Sequence, residues 1–390
     1  MTLNLVRQHY ESFPYPALPI FAQVPLIETY LMNYHAAVFA AFGSIHIASA
    51  APRILVAGAG TFEPSVVALA NPTATIVAVD ISSTSLSRLK WRLKLHGIAD
   101  RVTLVREEIC AYQGKEGPFD MIVATGLLHH LPNREQGLKA LERLLAPNGV
   151  LRLMIYSKHG RAPAYRIRDV ARVLAITTAK GLERFIHRLP VDHPLRLYFD
   201  LYGRRKNRIE IMDGFLHVQD EPFDALDCPA YLHSAGMTAT KFLHHPTGQP
   251  DFLLKKLKNV PALKRQAETL TDWQKIAVLD RLGELESNFM FYAARTSDLS
   301  AIQKGLSQGT GAAPLTWVVP NPVVKRVAQG GAFFLREMES RILGETVVLS
   351  KDLRKVLVDG ATLQQAEQAL GKAEVARLCH ALILLTEESI

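Results

Sequence analysis

A glycine turn followed at a distance by an acid is the feature of this sequence best suited to binding chemistry. An apolar run at residues 54–57 ends at Gly58-Ala59-Gly60, and a second apolar run ends in Asp80. Glycines let the backbone turn tightly and approach a ligand, and a helix that starts behind them offers unpaired N–H groups. A carboxylate about 20 residues further on can accept hydrogen bonds from ribose hydroxyls. The spacing therefore predicts a site for a ribose-containing ligand.

Two other nucleotide-binding motifs do not match this turn. The dinucleotide fingerprint needs a third glycine at position 63, where the chain has Glu63, and no His/Arg pair for hydride transfer follows the predicted sheet. A P-loop needs Gly-Lys-Ser/Thr, whereas this turn continues as Thr61-Phe62-Glu63. We therefore assign the turn to neither class.

Short apolar runs alternate with helical patterns and predict an α/β fold. The predicted strands lie at residues 54–57, 75–79, 102–106, 119–124, 150–156, 238–243 and 289–294. This alternation is typical of a mostly parallel sheet covered by helices on both faces, in which ligands bind at the carboxyl ends of the strands. Residues at predicted strand ends are Gly58, Asp80, Glu108, Thr125 and Gly126. We expect them to form one site.

Length and composition predict more than one domain and a reducing compartment. With 390 residues, of which 48% are hydrophobic, the chain can bury a large core but is too long for one compact unit. Its three cysteines are far apart and favour neither disulfides nor zinc, so we predict a cytoplasmic protein without a metal. The apolar stretch at residues 36–51 is interrupted by Gly43 and His46 and is predicted as a buried helix, not a membrane span.

The predicted organisation has four parts. These are an N-terminal arm with lid helices at residues 1–50, a core at 51–296 with a helical insertion at 157–235, a linker at 297–329 and an accessory domain at 330–390. The linker is predicted from a Gly-, Ser- and Gln-rich stretch at 303–313. Helical periodicity beyond residue 330 predicts a small helical or winged-helix-like domain.

The net charge of +8 comes from one segment. Residues 151–215 contain 14 Lys and Arg against 6 Asp and Glu. Such a segment can attract an acidic or nucleic-acid partner, or it can be the solvated face of amphipathic helices. If it binds nucleic acid, reversing the charge of Arg204, Arg205 and Lys206 should weaken binding.

Five short motifs resemble those of class I S-adenosylmethionine-dependent methyltransferases. They are Val-Ala-Gly-Ala-Gly-Thr at 56–61, Val-Asp-Ile-Ser at 79–82, Glu-Ile at 108–109, Phe-Asp-Met-Ile at 119–122 and Leu-His-His-Leu at 128–131. The resemblance covers residues 50–157 and extends loosely to 295, toward a bacterial subgroup of which some members carry tetratricopeptide repeats. It implies a Rossmann-like, seven-stranded sheet, with S-adenosylmethionine as cofactor and S-adenosylhomocysteine as product.

The resemblance also implies roles for single residues. Gly58, Ala59 and Gly60 would pass under the methionine and ribose portion of the cofactor, and Asp80 would accept from the ribose hydroxyls. Ile81 would cover the adenine ring, Glu108 would accept from the adenine amino group, and Thr125 and Gly126 would line the methionine end. Two positions depart from the family pattern, which has a third glycine where Phe62 stands and an acid at or near Ala57. The missing acid implies a weaker contact with the cofactor's ammonium group.

Methyl transfer from a sulfonium depends mainly on positioning and on excluding water, and a base is needed only when the acceptor must lose a proton early. The predicted catalytic residues are His217, His130 and Tyr15, with Asp213 behind them. Paired histidines after such a strand, His129 and His130, are also typical of helix capping and packing.

The acceptor is predicted to be a small molecule or a protein, with no membrane partner. The end of the fourth strand reads Ala-Thr-Gly-Leu, without the Asn-Pro-Pro-Tyr of amide and exocyclic-amine methylation or the Pro-Cys of C5-pyrimidine methylation. Two alternatives stay open. The chain could be a cofactor-binding regulatory module without turnover, or an RNA- or DNA-directed methyltransferase that uses residues 151–215. The sequence leaves the oligomeric state open.

Overall fold

A seven-stranded sheet forms the centre of the computed structural model, which describes residues 2–23, 25–202, 207–285, 287–308, 316–329 and 337–388. Its strands are β1 Arg53–Ala57, β2 Thr75–Asp80, β3 Val102–Arg106, β4 Phe119–Thr125, β5 Leu145–Tyr156, β6 Met237–Phe242 and β7 Asn288–Arg295. Their order is β3-β2-β1-β4-β5-β7-β6. β7 runs antiparallel to β5 and β6, and the other neighbours pair in parallel. The predicted α/β fold with a mostly parallel sheet is confirmed.

Helices cover both faces of this sheet. Within the described ranges they are α1 Thr2–Ser12, α2 Tyr34–Phe42, α3 Glu63–Ala70, α4 Ser83–Leu95, α5 Arg134–Leu144, α6 Ala162–Val173, α7 Ala179–Ile186, α8 Pro194–Tyr202, α9 Arg208–Phe215, α10 Cys228–His233, α11 Phe252–Lys256, α12 Pro261–Glu268, α13 Asp272–Arg281, α14 Thr296–Gln308, α15 Pro322–Gln329, α16 Lys351–Asp359, α17 Leu363–Leu370 and α18 Lys372–His380. Short 3-10 helices lie at Leu26–Met32, Ala99–Arg101, Leu128–His130 and Pro246–Gly248.

Alternate residues of β1 enter two separate apolar cores. Ile54 and Val56 pack in a cluster with residues of α2, α3 and α4, whereas Leu55 and Ala57 pack in a cluster with residues of α5 and α13. Because both faces are covered, the strand reads as one continuous apolar run rather than an alternating one. This burial fixes the strand ends, and with them the glycine turn.

The helix predicted at residues 36–51 is shorter in the structure. Asn33 begins α2 by accepting a hydrogen bond from the N–H of Ala36, and Gly43 ends it in a left-handed conformation with φ 79°. A glycine adopts this conformation without the steric cost that other residues incur. Among the helices that the structure describes, none combines the length and the apolar character that crossing a bilayer requires.

Most of the described residues in the segment predicted as a linker, 297–329, form helices and a strand. They belong to α14, to strand β8 Thr316–Pro320 and to α15. β8 is the central strand of a sheet with β11 Ala361–Thr362 and β12 Leu384–Glu388, and β9 Glu337–Ser340 pairs with β10 Glu345–Val348. The Gly-rich composition that suggested a linker is confined to a short stretch, part of which lies at 309–315, outside the described residues.

The C-terminal helices and strands pack on the core through the 3-10 helix at Leu26–Met32. Asn321 donates to the carbonyl oxygen of Tyr30 at 3.1 Å, and the hydroxyl of Tyr30 accepts from the N–H of Arg341 at 3.1 Å. Arg326 donates to the carbonyl oxygen of Leu69 in α3 at 2.7 Å. The C-terminal region therefore supports α3, the helix that follows the glycine turn.

Candidate active site

The glycine turn and Asp80 form the floor of the candidate site. Gly58 and Gly60 have φ of 71° and 58°. The N–H of Gly60 donates to one carboxylate oxygen of Asp80 at 2.8 Å, and the N–H of Ser82 donates to the other at 2.8 Å. Burial raises the pKa of Asp80, while these backbone hydrogen bonds lower it. The carboxylate is held in place and keeps lone pairs for a ligand.

Neighbouring chain segments approach the turn closely. A Cβ on Gly58 would lie 3.2 Å from Cδ1 of Leu127, and a Cβ on Gly60 would lie 2.8 Å from the carbonyl oxygen of Tyr15. The positive φ favours glycine at both positions, and at Gly60 the nearby backbone also leaves no space for a side chain.

A cavity of about 330 Å³ lies above the turn, at the carboxyl ends of β1, β2 and β4. The residues predicted to bind the cofactor all line this cavity: Gly58, Ala59, Gly60, Asp80, Ile81, Glu108, Thr125 and Gly126. Two of the predicted catalytic residues, Tyr15 and His130, line it as well, but His217 does not. The structure thus brings together residues from strand ends that are far apart in the sequence.

The N-terminal arm closes one side of the cavity. The N–H of Thr61 donates to the carbonyl oxygen of Tyr15 at 3.0 Å. The hydroxyl of Thr61 donates to the carbonyl oxygen of Pro16 at 2.6 Å. The carboxylate of Glu11 accepts from two N–H groups in the first turn of α4, at 2.8 and 2.9 Å. These contacts hold α1 and the following residues over the glycine turn.

His217 lies behind His130 rather than on the cavity wall. The centroids of their rings are 3.9 Å apart, and the ring of His217 is 5.3 Å from that of Tyr10. Burial lowers the pKa of His130 to about 4 and the pKa of His217 well below its usual value. Both rings are therefore neutral near pH 7.

His129 is a packing residue. Its ring stacks on Tyr156 with centroids 3.7 Å apart, and its Nδ1 accepts from the N–H of Tyr156 at 3.2 Å. Its side chain is fully buried and is not part of the cavity wall. Of the two adjacent histidines, His130 is the one that reaches the site.

Asp213 is the acid that faces the cavity from the helical insertion. It lies in α9, is buried, and accepts from the hydroxyl of Tyr10 at 3.4 Å. Burial raises its pKa to about 7, against the opposite effect of Arg161. A carboxylate with such a pKa can take up a proton near neutral pH. Asp213 was predicted to lie behind the histidines, and an acid that directly follows the apolar Ile211 and Met212 in a helix was a usable signal.

The neighbouring acid, Asp220, is already paired. Its carboxylate lies 3.7 Å from the guanidinium groups of both Arg161 and Arg168, and it accepts from the hydroxyl of Tyr165 at 3.1 Å. These partners give Asp220 a structural role. Asp213 is the freer of the two carboxylates.

His9, Asp213 and His217 form a buried triangle whose nitrogen and oxygen atoms lie within 4.8 Å of one another. In the part of the chain that the structure describes, Nε2 of both histidines lacks a hydrogen-bond partner. Nδ1 of His217 accepts from the N–H of Gln219 at 3.0 Å, so its proton is on Nε2. A protonated nitrogen donates a hydrogen bond and does not bind a metal, so the triangle suits a small polar group better than a cation.

Glu63 is a further acid in the cavity wall, and it was not among the predicted site residues. It begins α3 and lines the cavity together with Thr125. Thr125 in turn accepts from Nη1 of Arg152 at 3.1 Å. Burial raises the pKa of Glu63, and the charge of Arg152 lowers it. The sequence signal that could have identified Glu63 is an acid in the first turn of the helix that follows the glycines.

Part of the positive charge at 151–215 is used inside the protein. Arg152 and Arg161 are buried, and Arg161 and Arg168 both face Asp220. Arg204, Arg205 and Lys206 lie outside the described residues. The net charge of +8 is therefore larger than the positive charge that the described residues of this segment leave available for a partner.

The lining residues fit S-adenosylmethionine. Asp80 and Glu108 offer acceptors for ribose hydroxyls and an adenine amino group, and Ile81 offers an apolar surface for the ring.

Comparisons with known proteins agree with this fit. Residues 55–151 match the family model of a methyltransferase domain. An uncharacterized protein of Synechococcus sp. is 28% identical over 301 residues, which are 74% of this chain and 70% of that protein. Methyltransferase GfsG of Streptomyces halstedii is 25% identical over 135 residues, and the match spans 35% of this chain and 49% of that enzyme.

Among solved structures, PKMT2 from Rickettsia typhi in complex with AdoHcy is similar in fold. It aligns with a TM-score of 0.57 at 14% identity, and the match covers 94% of this chain and 78% of that one. At this identity the similarity concerns the arrangement of helices and strands, including those of the C-terminal region.

Proposed function

Because the chain carries a class I S-adenosylmethionine-dependent methyltransferase domain, we propose that it transfers the methyl group to a small-molecule or protein acceptor bound between the N-terminal arm and the helical insertion. The observation that carries the proposal is one cavity lined both by Asp80 and Glu108 and by Tyr10, His130 and Asp213. The first group suits an adenosine, and the second suits a nucleophile that carries a proton.

In this proposal, Asp80 and Glu108 bind the adenosine, and the glycine turn lets the backbone approach it. The cofactor, when bound, supplies a methyl group on a positively charged sulfur, which leaves with the bonding electron pair. Tyr10 and Tyr15 close the cavity and exclude water, which favours transfer to the acceptor over side reactions. Their phenols stay protonated, because burial raises the pKa of both hydroxyls.

Asp213 is our candidate for the group that takes the acceptor's proton. Its pKa of about 7 makes part of the population a carboxylate at neutral pH, and it faces the cavity. His130, which is neutral and also lines the wall, would orient the acceptor by a hydrogen bond. His217 would act through His130 and His9, as a positioning residue.

The proposal is tested by calorimetric titration with S-adenosylmethionine and S-adenosylhomocysteine. Asp80→Ala should lose binding, because the carboxylate that faces the ribose is gone. Asp100→Ala removes an exposed acid outside the cavity and is the matched control. Wild type should then label an acceptor with a radioactive methyl group, first in small-molecule mixtures and then in protein extracts.

Each outcome separates the alternatives. No binding of either ligand by wild type would contradict the proposal. Tight binding that Asp80→Ala abolishes, but with no methylated product from any acceptor, would favour a regulatory module without turnover. Label that appears only in RNA or DNA, with binding that falls steeply as salt rises, would favour a nucleic-acid substrate.

A further inference from the structure

We propose that Glu63 binds the α-ammonium group of the cofactor's methionine portion and so replaces the acid that the family pattern has near Ala57. The inference rests on the proposed function and extends it to one residue of this chain. In the sequence, Ala57 implies a weakened contact at this point. In the structure, a carboxylate reaches the same cavity from the next helix, six residues later.

Thr125 lines the cavity together with Glu63, and Arg152 orients its hydroxyl. Arg152 can only donate, so Oγ1 of Thr125 accepts from it, at 3.1 Å. Arg152 is buried, and its other terminal nitrogen lies 3.0 Å from the sulfur of Met290, so its position is fixed too. Burial raises the pKa of Glu63, whereas the charge of Arg152 and the hydroxyl of Thr125 lower it, which favours a carboxylate at this position.

The order of the strands sets three acids in a row along the cavity. Glu108 follows β3, Asp80 ends β2, and Glu63 lines the cavity with Thr125, which ends β4 on the far side of β1. Adjacent strands are about 4.8 Å apart, so Thr125 lies roughly two strand spacings from Asp80 along this edge. The cofactor carries an adenine amine, ribose hydroxyls and an ammonium group in the same order.

The charge of Glu63 is only partly compensated by the protein. Within the described ranges, no Lys, Arg or His nitrogen lies within 4.0 Å of its carboxylate. Both carboxylate oxygens of Asp80, in contrast, already accept a backbone N–H. A carboxylate in a cavity wall without a close cation favours a cationic ligand group, because the pair regains part of the interaction that removal from water costs. The ammonium group supplies that cation.

The test compares three ligands by calorimetry on wild type and on Glu63→Gln. S-adenosylhomocysteine carries the ammonium group, its deamino analogue lacks only that group, and 5′-methylthioadenosine lacks the whole amino-acid portion. In wild type, S-adenosylhomocysteine should bind at least about tenfold more tightly than the deamino analogue, a difference of about 1.4 kcal/mol. In Glu63→Gln that preference should disappear, while the affinity for 5′-methylthioadenosine stays within about twofold. Glu135→Gln, an exposed acid in the first turn of α5, is the matched control.

The outcomes distinguish a wrong role for Glu63 from a wrong proposed function. If Glu63→Gln weakens all three ligands equally, or keeps the wild-type preference, the role of Glu63 is wrong although the cofactor site stands. If wild type binds none of the three, the proposed function itself fails. Unchanged affinity for 5′-methylthioadenosine shows that the variant is folded. If Glu63→Gln does not fold, Thr125→Val is the second variant. It removes the hydroxyl that lies in the cavity wall with the carboxylate of Glu63, and it should reduce the preference for the ammonium group.

Discussion

The carbonyl oxygen of Gln219 accepts a hydrogen bond from Nδ1 of His130 at 2.7 Å. A carbonyl oxygen cannot donate, so His130 carries its proton on Nδ1 and a lone pair on Nε2. The N–H of the same Gln219 donates to Nδ1 of His217, whose proton is therefore on Nε2. One residue of the insertion fixes opposite tautomers in two adjacent rings. With both histidines held neutral, Asp213 is the group beside them whose charge changes near pH 7.

Replacing Asp213 by Asn should reduce methyl transfer by roughly 10²- to 10⁴-fold if it acts as general base. Binding of S-adenosylhomocysteine should change little, since Asp213 is not among the residues predicted to bind the cofactor. The rate of wild type should rise with pH and level off above about 7, because the base must be ionised. Rates of labelled-methyl transfer between pH 5.5 and 8.5 measure both effects.

The pH dependence of folding stability is a second test of the raised pKa of Asp213. Its folded pKa of about 7 lies above the ordinary 3.8, so its contribution to stability is complete below pH 3.8 and is lost as pH rises through 7. Asp213→Asn should therefore gain stability over wild type at pH 8 and gain less at pH 5, in denaturant unfolding. Asp192→Asn, exposed in the same insertion, should show neither change. An equal effect at both pH values would mean that Asp213 does not titrate in this range.

The residues that line the cavity from the strand ends could be predicted because their signals are local. The glycine turn, Asp80 and Glu108 each lie at or just after the end of a strand, and parallel strands bring their carboxyl ends to one edge. Burial on both faces makes those strands readable as apolar runs. Spacing along the chain was therefore enough to collect these residues into one cavity.

The part of the cavity near Asp213 depends on long-range packing, which spacing does not reveal. Tyr10 and Asp213, which are in contact, are 203 positions apart in the sequence, and Gln219 and His130 are 89 apart. His217 was predicted as a catalytic residue, but the fold buries its ring behind His130. Strand β8 was missed because a Gly-rich composition was extended over a short β-branched run that pairs only with distant strands.

Gly60→Ala should weaken cofactor binding more than it weakens the fold. The new Cβ would lie 2.8 Å from the carbonyl oxygen of Tyr15, so the N-terminal arm must move away from the cavity. Gly97 is the matched control, since its φ of 64° is similar but no atom lies within 4 Å of an added Cβ. Each variant should lose about 1–2 kcal/mol from the left-handed conformation. We expect only Gly60→Ala to lose, in addition, about tenfold or more in affinity for S-adenosylhomocysteine by calorimetry.

The same comparison tests whether the arm is part of the site. If Gly60→Ala and Gly97→Ala bind S-adenosylhomocysteine equally well, the contact between Tyr15 and the turn has no bearing on the cofactor. A loss in both variants would point instead to general destabilisation, which the melting temperatures would reveal.

Arg92 holds the N-terminal arm in place through its guanidinium group. Its guanidinium is buried and donates to five carbonyl oxygens, at 2.8–3.2 Å, those of Leu18, Pro19, Ile20, Ala22 and Thr61. Four of these lie in the arm and one lies in the glycine turn, so a single side chain ties the two together. Arg92→Met keeps the apolar stem of the side chain but leaves all five carbonyl groups without this donor, at a cost of about 3–5 kcal/mol.

We expect Arg92→Met to release the arm before the sheet unfolds. Hydrogen exchange should accelerate at residues 13–23, and protease should cut there, while the amides of β1 and β4 stay protected. Affinity for S-adenosylhomocysteine should fall because Tyr15 and Pro16 leave the cavity wall. Arg88→Met, exposed on the same helix one turn earlier, should leave exchange and affinity unchanged. Faster exchange throughout the sheet, without a separate response of the arm, would show that Arg92 supports the whole fold and not the closure of this site.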